Sequence, residues 1–406
     1  MKFEEHGNSV ETAGSGMRDL SLTRMAGIFL KLGAIGFGGG MAVIALMEHE
    51  FVKKRQDVTT EEFLHGVGLA QILGPFAPNT AFFLGYRRYG LPGAMIAVVS
   101  FLLPSVTMVI LLSFLYFRYH TIPALQGVLA GLGPVVIALI FSAAWSMGRK
   151  ALTRWPAFVF AASGAAAGAF RVNPAWVLLT AGIIGLLVGR QRMNPGVGQK
   201  GPDPKTQSKN EAPPKSGIAA SLAVPLAAAQ GATLPLANMG LAFLKVGMVF
   251  FGGGFVLIPI LHQRIVEYYH WLTPQEFIDG VAISNLTPGP IAVLATFTGY
   301  HLQGVPGAVL ATVALFAPAM ILMTIISAGY EYFKGSSRTK DFLSGVTPAV
   351  VGLVASAAFL LWHSAIPSWR ALILMAAALV LLVQFKWHPA FVLALGAGLA
   401  GIGVVP

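Results

Sequence analysis

The sequence predicts an all-α polytopic membrane protein with two homologous six-segment halves, which we expect to be inverted repeats with broken helices. Of the 406 residues, 55% are hydrophobic and 11% are charged, whereas soluble proteins carry about 25% charged residues. Apolar runs of roughly 20 residues, long enough to cross a bilayer, recur along the chain. An internal duplication is the third observation that supports this fold class.

The duplicated stretch reads FLKLGAIGFGGG at 29–40 and FLKVGMVFFGGG at 243–254, an offset of 214 residues. The same offset aligns Pro104 with Pro318 and Pro134 with Pro348. A fixed offset over roughly a hundred residues indicates duplication. Two homologous halves in an apolar chain are typical of secondary transporters.

The non-repeated parts of the chain differ in composition from the halves. The N-terminal tail is polar and lacks the apolar core of a cleavable signal. A linker rich in Pro, Gly and Lys is predicted to be disordered, and an apolar segment that follows it has no counterpart in the first half. The predicted units are a tail (1–24), a first repeat (25–189), a linker (190–217), an extra apolar segment (218–236) and a second repeat (237–406).

Each half contains six apolar segments, of which the last two form a short helical hairpin. If the extra segment 218–236 also crosses, the halves are inverted, thirteen spans result and the C-terminus lies outside. Cations concentrate in loops that would then be cytoplasmic with the N-terminus and the linker, as the positive-inside rule expects. The segments are 25–47, 63–84, 91–117, 124–147, 155–170 and 174–189, then 239–261, 277–300, 305–330, 343–362, 369–384 and 388–404.

The first candidate for a functional site is a triple glycine in each half, since three glycines weaken a helix and permit close backbone approach. We interpret each as a helix break whose amides face a substrate; the alternative is a tight helix–helix contact between small residues. The residues are Gly38, Gly39 and Gly40, and Gly252, Gly253 and Gly254.

The second candidate is a proline-containing break in each half, at 71–80 and 285–294. Proline removes an amide donor, and the freed backbone groups need partners at membrane depth. Matching helix breaks in two halves point to a transport site, and half-helix N-termini bind anions; the alternative is a simple kink. The residues are Gly74 and Pro75 in the first half and Pro288, Gly289 and Pro290 in the second.

Polar side chains near these breaks complete the predicted site. Lys31 and Lys245 would attract an anion, unless they only snorkel to the headgroups. Asn79, Asn285 and Thr287 could donate hydrogen bonds to an oxyanion, or could merely join helices.

Two further pairs of matching positions carry titratable residues. Glu62 matches Glu276, a pair that could cap helices or relay protons, and capping is the preferred interpretation. His65 matches Asp279, so this position is polar in both halves.

Enzyme chemistry is not expected. The chain has no cysteine, which excludes thiolate metal sites and thiol redox chemistry. His49-Glu50 begins an HExxH motif, but Lys53 stands where the second histidine is required. There is no GxSxG nucleophile motif. We expect no cofactor and no metal.

At these residues the chain resembles the chromate ion transporter family. The resemblance covers nearly the whole chain. One departure is that Pro-Gly-Pro is intact in the second half, whereas the first half reads Gly74-Pro75-Phe76. The resemblance rests on four motifs. They are FxKxGxxxFGGG in both halves, Thr-x-x-Glu-Phe at 59–63 and 273–277, the stretch 285–290 of the second half, and Gly-Tyr-x-x-x-Gly-x-Pro-Gly-Ala at 85–94 and 299–308.

This resemblance implies export of chromate, a tetrahedral dianion shaped like sulfate, through the bacterial inner membrane, and hence chromate resistance. It also implies two domains of opposite topology. The expected partners are the oxyanion, the lipid bilayer and, as an option, a second copy in a homodimer, but no nucleic acid. A transporter or channel for another inorganic or organic anion is the alternative.

Overall fold

A computed structural model describes residues 21–37, 40–72, 74–119, 122–192, 236–250, 254–328 and 337–403. Within these ranges the chain is helical and contains no strand. Nearly all of the predicted tail, most of the linker and all but the last residue of the extra apolar segment fall outside them. These three units stay predictions.

The first half contains eight helices among its described residues, and α2 continues into a π-helical turn at His49–Lys54. They are α1 (Leu22–Ile35), α2 (Gly40–Glu48), α3 (Thr60–Ile72), α4 (Phe76–Tyr119), α5 (Pro123–Ala130), α6 (Leu132–Ala151), α7 (Trp155–Ala169) and α8 (Pro174–Arg192).

The second half repeats this order, with a 3-10 turn at Gly254–Val256 before α10 and a π-helical turn at His262–Tyr268 after it. A second 3-10 turn, Ile291–Val293, precedes α12. Its helices are α9 (Leu236–Val249), α10 (Leu257–Leu261), α11 (Pro274–Leu286), α12 (Leu294–Ala328), α13 (Ser337–Ala365), α14 (Trp369–Val383) and α15 (Pro389–Gly401).

The long helices α4 and α12 each reverse direction at one glycine. In α4 the helical dihedrals fail at Tyr89 and at Gly90, whose φ is 61°. Beyond this point the chain folds back on itself. Gly93 then lies so close to Gly85 that a methyl group added at Gly93 would collide with the carbonyl oxygen of Gly85. We therefore divide α4 into α4a (76–88) and α4b (91–119), and α12, which reverses at Gly304, into α12a (294–302) and α12b (305–328).

Two helical hairpins in the first half enter the protein and return to the same side. In the first, the ring of Phe29 on α1 stacks on Phe51, with centroids 5.1 Å apart, so the chain after α2 runs back along α1. In the second, Asn79 on α4a donates a hydrogen bond to the carbonyl oxygen of Ala70 on α3 (3.4 Å). Each arm is about 20 Å long, too short for a hydrocarbon core of about 30 Å.

The second half contains the same two hairpins. Phe243 on α9 lies near Trp271, which follows the π-helical turn, with ring centroids 6.0 Å apart. On α11, a methyl group at Gly280 would lie 2.7 Å from the ring of Phe297 on α12a. The first two apolar segments of each half are thus broken helices, as predicted, but they return instead of crossing. The expectation of thirteen spans is therefore wrong, because the breaks reverse the chain.

The halves run in opposite directions. Ser105 on α4b lies beside Gly289, and Phe117, further along α4b, contacts His301 at the far end of α12a (4.5 Å between ring centroids). Helix α4b is thus parallel to α12a. Because α4a is antiparallel to α4b, the equivalent segments α4a and α12a are antiparallel, which confirms the predicted inversion.

The inversion gives the molecule two distinct faces. Helix α9 runs parallel to α12b, because Gly240 lies against Leu310 and Gly247, further along α9, lies against Leu315. The equivalent helices of the first half, α1 and α4b, are therefore parallel as well. Leu22 and Gly90 therefore lie at one face, called here the N-terminal face. Leu236 and Gly304 lie at the other, called the opposite face. The hairpins of each half enter from that half's own face.

The C-terminal helix pairs are exchanged between the halves. Gly164 on α7 packs against Ala349 on α13 of the second half, and Gly131, between α5 and α6, packs against Gly396 on α15. The short pairs α7–α8 and α14–α15 confirm the predicted terminal hairpins. Each half is thus incomplete without helices of the other.

Four helical stretches of the described chain are long and apolar enough to cross a membrane. Shorter apolar helices, among them α7, α9, α14 and α15, accompany them. Together they support a multi-pass membrane protein. The four stretches are Phe76–Tyr119, Leu125–Ala151, Ile291–Ala328 and Asp341–Ala365.

Candidate functional site

The tips of the four hairpins meet in the middle of the molecule, and each tip contacts the other half. The amide of Gly289, at the tip between α11 and α12a, donates a hydrogen bond to the carbonyl oxygen of Gly36 at the end of α1 (3.2 Å). In the equivalent place, a methyl group at Gly74 would lie 2.6 Å from the carbonyl oxygen of Phe250 at the end of α9. Backbone therefore approaches backbone across the interface between the halves.

The two tips of each half also touch each other. A methyl group at Gly40 would collide with the ring of Phe76, and one at Gly254 would lie 3.0 Å from the side chain of Ile291. Four tips thus form a closed ring about 20 Å from either face, at the depth that the arm lengths allow. Of the triple-glycine breaks the structure describes Gly40 and Gly254, and both lie beside the proline-containing tip of their own half.

A glycine with positive φ stands at the corresponding tip of both halves. Gly74 has φ 102° and Gly289 has φ 112°, values that other residues adopt only with strain. Each is followed by a proline, Pro75 or Pro290. The two Gly-Pro pairs occupy the same place in the fold. They are 215 residues apart in the sequence, one more than the 214-residue offset of the repeat, so the alignment of the halves shifts by one residue at this tip. The first half therefore keeps the tip conformation despite its different residues.

Backbone amides are the groups that these tips can offer to a ligand. Helices α2 and α4a begin at tips, as do the 3-10 turns that start the second arms in the second half. The first amides of a helix lack intrahelical partners and carry partial positive charge, which suits an anion. No residue of the described tips is charged; these are Gly36, Phe37, Gly40, Gly74, Pro75, Phe250, Gly254, Thr287, Pro288, Gly289 and Pro290.

The polar side chains predicted for the site bond to their own hairpins in this structure. Asn79 is 2% exposed and joins α4a to α3. Asn285 donates to the carbonyl oxygen of Val281 (2.8 Å), and Thr287 donates to that of Ser284 (3.1 Å). These residues lie at or beside the tips, but they would have to exchange partners in order to bind a ligand.

The predicted lysines lie elsewhere. Lys31 and Lys245 are exposed on α1 and α9, whereas their neighbours Phe29 and Phe243 are buried against the protein. Among the described residues, neither lysine has a hydrogen bond or an ion pair, and the structure does not bring them to the tips. Gly38, Gly39, Gly252 and Gly253 lie outside the described residues.

Ser105 is a site residue that the sequence analysis missed. It is fully buried on α4b, and its hydroxyl oxygen would lie 2.7 Å from a methyl group at Gly289. The hydroxyl now donates to the carbonyl oxygen of Leu102 (3.0 Å). The repeat gave no signal, because the equivalent residue in the second half is Ala319.

A cavity of about 470 Å³ at the opposite face is the second feature that the sequence did not predict. Asp279 on α11 lies in its wall and accepts a hydrogen bond from the hydroxyl of Tyr116 on α4b (2.8 Å). The cavity lies between helices of both halves. Its lining residues are Tyr116, Gln126, Leu129, Ala130, Gly133, Thr273, Gln275, Glu276, Asp279, Ser364, Ala365 and Pro367.

Known proteins resemble the chain over nearly its full length. It is 32% identical to a chromate transport protein of Cupriavidus metallidurans, over 95% of this chain and 94% of that protein. It is 33% identical to a probable chromate transport protein of Synechococcus elongatus, over 84% of both chains. A chromate transport protein of Pseudomonas aeruginosa is 32% identical, over 95% of this chain and 93% of the relative. No solved structure matches the chain.

A family model described as chromate transporter matches twice, at residues 23–186 and 237–402. The two matches contain the two inverted halves with all four hairpin tips. The resemblance predicted from the motifs is therefore confirmed, and the chain belongs to the chromate transporter family.

Proposed function

We propose that this protein exports chromate, or a related tetrahedral oxyanion such as sulfate, across the bacterial inner membrane by alternating access. The observation that carries the proposal is the ring of hairpin tips, in which helix N-termini from both halves meet without a charged side chain. Amides can replace the water around a dianion without fixing it by a counter-ion, so release stays feasible.

The charge distribution supports a cytoplasmic N-terminal face. Helix α4a ends at this face, α6 returns to it, and α7 begins there. Lysine and arginine near membrane crossings favour the cytoplasmic side. The cations at these helix ends are Arg87, Arg88, Arg149, Lys150 and Arg154.

With the N-terminal face inside, export is energetically favourable. Each negative charge that leaves a cell with a negative interior lowers its free energy by about 2.3 kcal/mol per 100 mV. A dianion therefore gains roughly 4.6 kcal/mol, enough for a gradient of more than about a thousandfold.

The packing of the tips favours a carrier over a channel. Gly289 bonds directly to Gly36, and Gly74 lies against Phe250, so the ring leaves no continuous passage at these contacts. The anion can pass only when hairpins of one half separate from the other half. Because the halves are inverted, movement of one half's hairpins opens a path to one face.

Chromate accumulation in a chromate-sensitive bacterial host, with and without the protein and across a series of sulfate concentrations, tests this function. We expect lower accumulation with the protein when sulfate uptake is controlled. Unchanged accumulation despite confirmed membrane expression would refute chromate export. Competition by sulfate in purified proteoliposomes would show that both dianions share the site, and flux far above carrier turnover would indicate a channel.

A further inference from the structure

The cavity at the opposite face contains a buried carboxylate that joins the halves. Asp279 is 2% exposed. One of its oxygens accepts the hydrogen bond from Tyr116 of the first half, and the other accepts from the side-chain amide of Gln275 (3.0 Å). An ionisable residue inside a membrane protein is costly and therefore usually has a function.

The charge of the cavity excludes the oxyanion. Asp279 and Glu276 both line it, and none of the described residues that line it is a lysine, arginine or histidine. Glu276 is held in a capping box, where it accepts from the amide of Thr273 (2.7 Å) while the Thr273 hydroxyl caps α11. Two carboxylates repel a dianion and attract a cation, so this cavity is a site distinct from the hairpin tips.

A proton is the cation that this geometry suits. Among the described residues, no group of three acidic, histidine or cysteine side chains could hold a metal ion. Both oxygens of Asp279 already accept from neutral donors, which leaves room for a proton but not for the several oxygen ligands that a metal cation requires.

The other groups around Asp279 leave it as the buried proton acceptor of the cavity. From α4b the facing titratable group is Tyr116, and from α11 itself it is Glu276. His301 on α12a contacts Phe117 rather than the cavity, and His262 meets Phe277 edge-on at 5.3 Å. Helices α5, α6 and α13 contribute uncharged lining residues, and the exposed His363 lies at the end of α13; α15 contains no titratable residue.

We propose that Asp279 binds a coupling proton that enters from the opposite face in exchange for the exported oxyanion. The proposal rests on the proposed function. The proton adds to a carboxylate oxygen, with formation of one O–H bond and loss of one negative charge. A hydrogen bond to a neutral acid is about half as strong as one to a carboxylate. Protonation thus weakens the Tyr116 contact and frees the α11–α12a hairpin to move, and deprotonation at the N-terminal face completes the exchange.

Proteoliposomes with chromate, a clamped membrane potential and an imposed pH gradient test the proposal. For the wild type, one pH unit should change the steady-state chromate ratio by about tenfold per exchanged proton. Asp279→Asn should bind chromate but lose this dependence. Glu276→Gln, which removes a carboxylate from the same cavity and keeps the capping box, should retain it. An unchanged response in Asp279→Asn, or an equal loss in Glu276→Gln, would overturn the assignment.

Infrared difference spectra of the full-length protein provide a readout that does not depend on transport. Acidification should produce carboxylic-acid carbonyl bands, and the component that belongs to a buried acid should be present in the wild type and in Glu276→Gln but absent in Asp279→Asn. Its persistence in the variant would refute the proton site. If the wild type transported no chromate but showed this band, the proposed substrate would fail while the proton site would stand.

Discussion

The two halves of this protein have the same architecture but different chemistry at equivalent positions. Both place a positive-φ glycine and a proline at the tip of the second hairpin, Gly74-Pro75 and Gly289-Pro290. The arms that lead to this tip differ at the position of the buried carboxylate, because His65 stands where the second half has Asp279. The shared features build the ring that we assign to the anion, and the difference locates the proposed proton site on one face.

The largest effect is expected from Gly289→Ala. Its φ of 112° is strained for alanine, and the added methyl group would approach the Ser105 hydroxyl. The strain alone amounts to about 1–3 kcal/mol, which corresponds to a fall in chromate export of roughly 5-fold to 150-fold. Gly68→Ala is the control, since a methyl group there meets nothing within 4 Å. Normal export by Gly289→Ala at equal abundance would show that the tip is not part of the path.

Tyr116→Phe tests the bond that joins the halves at the opposite face. Removal of a donor from a buried charged acceptor costs about 1.5–3 kcal/mol, so thermal unfolding in detergent should occur at a lower temperature at neutral pH. Because a hydrogen bond to a neutral acid is weaker than one to a carboxylate, the loss should shrink at an acidity that protonates Asp279. Tyr300→Phe is the matched control, because that tyrosine stacks on Phe117 and its hydroxyl has no hydrogen-bond partner among the described residues. Equal losses in both variants would contradict a specific role of the bond.

Lys31→Ala and Lys245→Ala test whether the equivalent lysines of the two halves contribute equally to the rate of export. Both lysines are exposed away from the hairpin tips, so they can act only by long-range attraction, which raises the rate of encounter by about tenfold or more at low salt. We therefore expect either variant to lower the export rate by up to roughly tenfold at low ionic strength and less at high salt. Lys245→Arg should keep the rate. Normal export by Lys245→Ala at equal abundance would eliminate this role and would favour snorkelling to the headgroups.

The smallest effect concerns the helix caps. Thr59 and Thr273 both cap the first arm of the second hairpin, with bonds of 3.2 Å to the amides of Glu62 and Glu276. Only Glu276 completes the capping box, since Glu62 pairs with Arg87. Thr273→Ala should therefore lower the stability by about 1 kcal/mol, and Thr59→Ala by less, in thermal unfolding with Thr60→Ala as the control. A larger loss for Thr59→Ala would reverse this comparison.

The capping comparison shows how far sequence reasoning extends. A Thr followed by Glu three residues later is a local pattern, and in both halves the Thr hydroxyl accepts a hydrogen bond from the amide of that Glu. The Glu62 side chain accepts from Arg87, which is 25 positions away in the sequence, instead of completing a capping box. That pairing could not be read from the local pattern. The preferred interpretation, capping, holds for Glu276, whereas the Glu62 side chain pairs with Arg87.

The sequence by itself determined the membrane class, the duplication and the positions of the helix breaks. Composition limits what can face water, a fixed offset survives in the order of residues, and glycine and proline act on the backbone next to them. These are local or additive properties. They sufficed to predict that Gly74, Pro75 and Pro288 to Pro290 interrupt helices.

Only the tertiary structure decided what the breaks do. A break can kink a helix or reverse it, and the reversal depends on contacts such as Phe29 with Phe51 across the two arms. The bond from Gly289 to Gly36 and that from Tyr116 to Asp279 join residues of different halves. The inverted arrangement of the halves places these residues side by side. The sequence pattern within one half does not specify which residue of the other half it will contact.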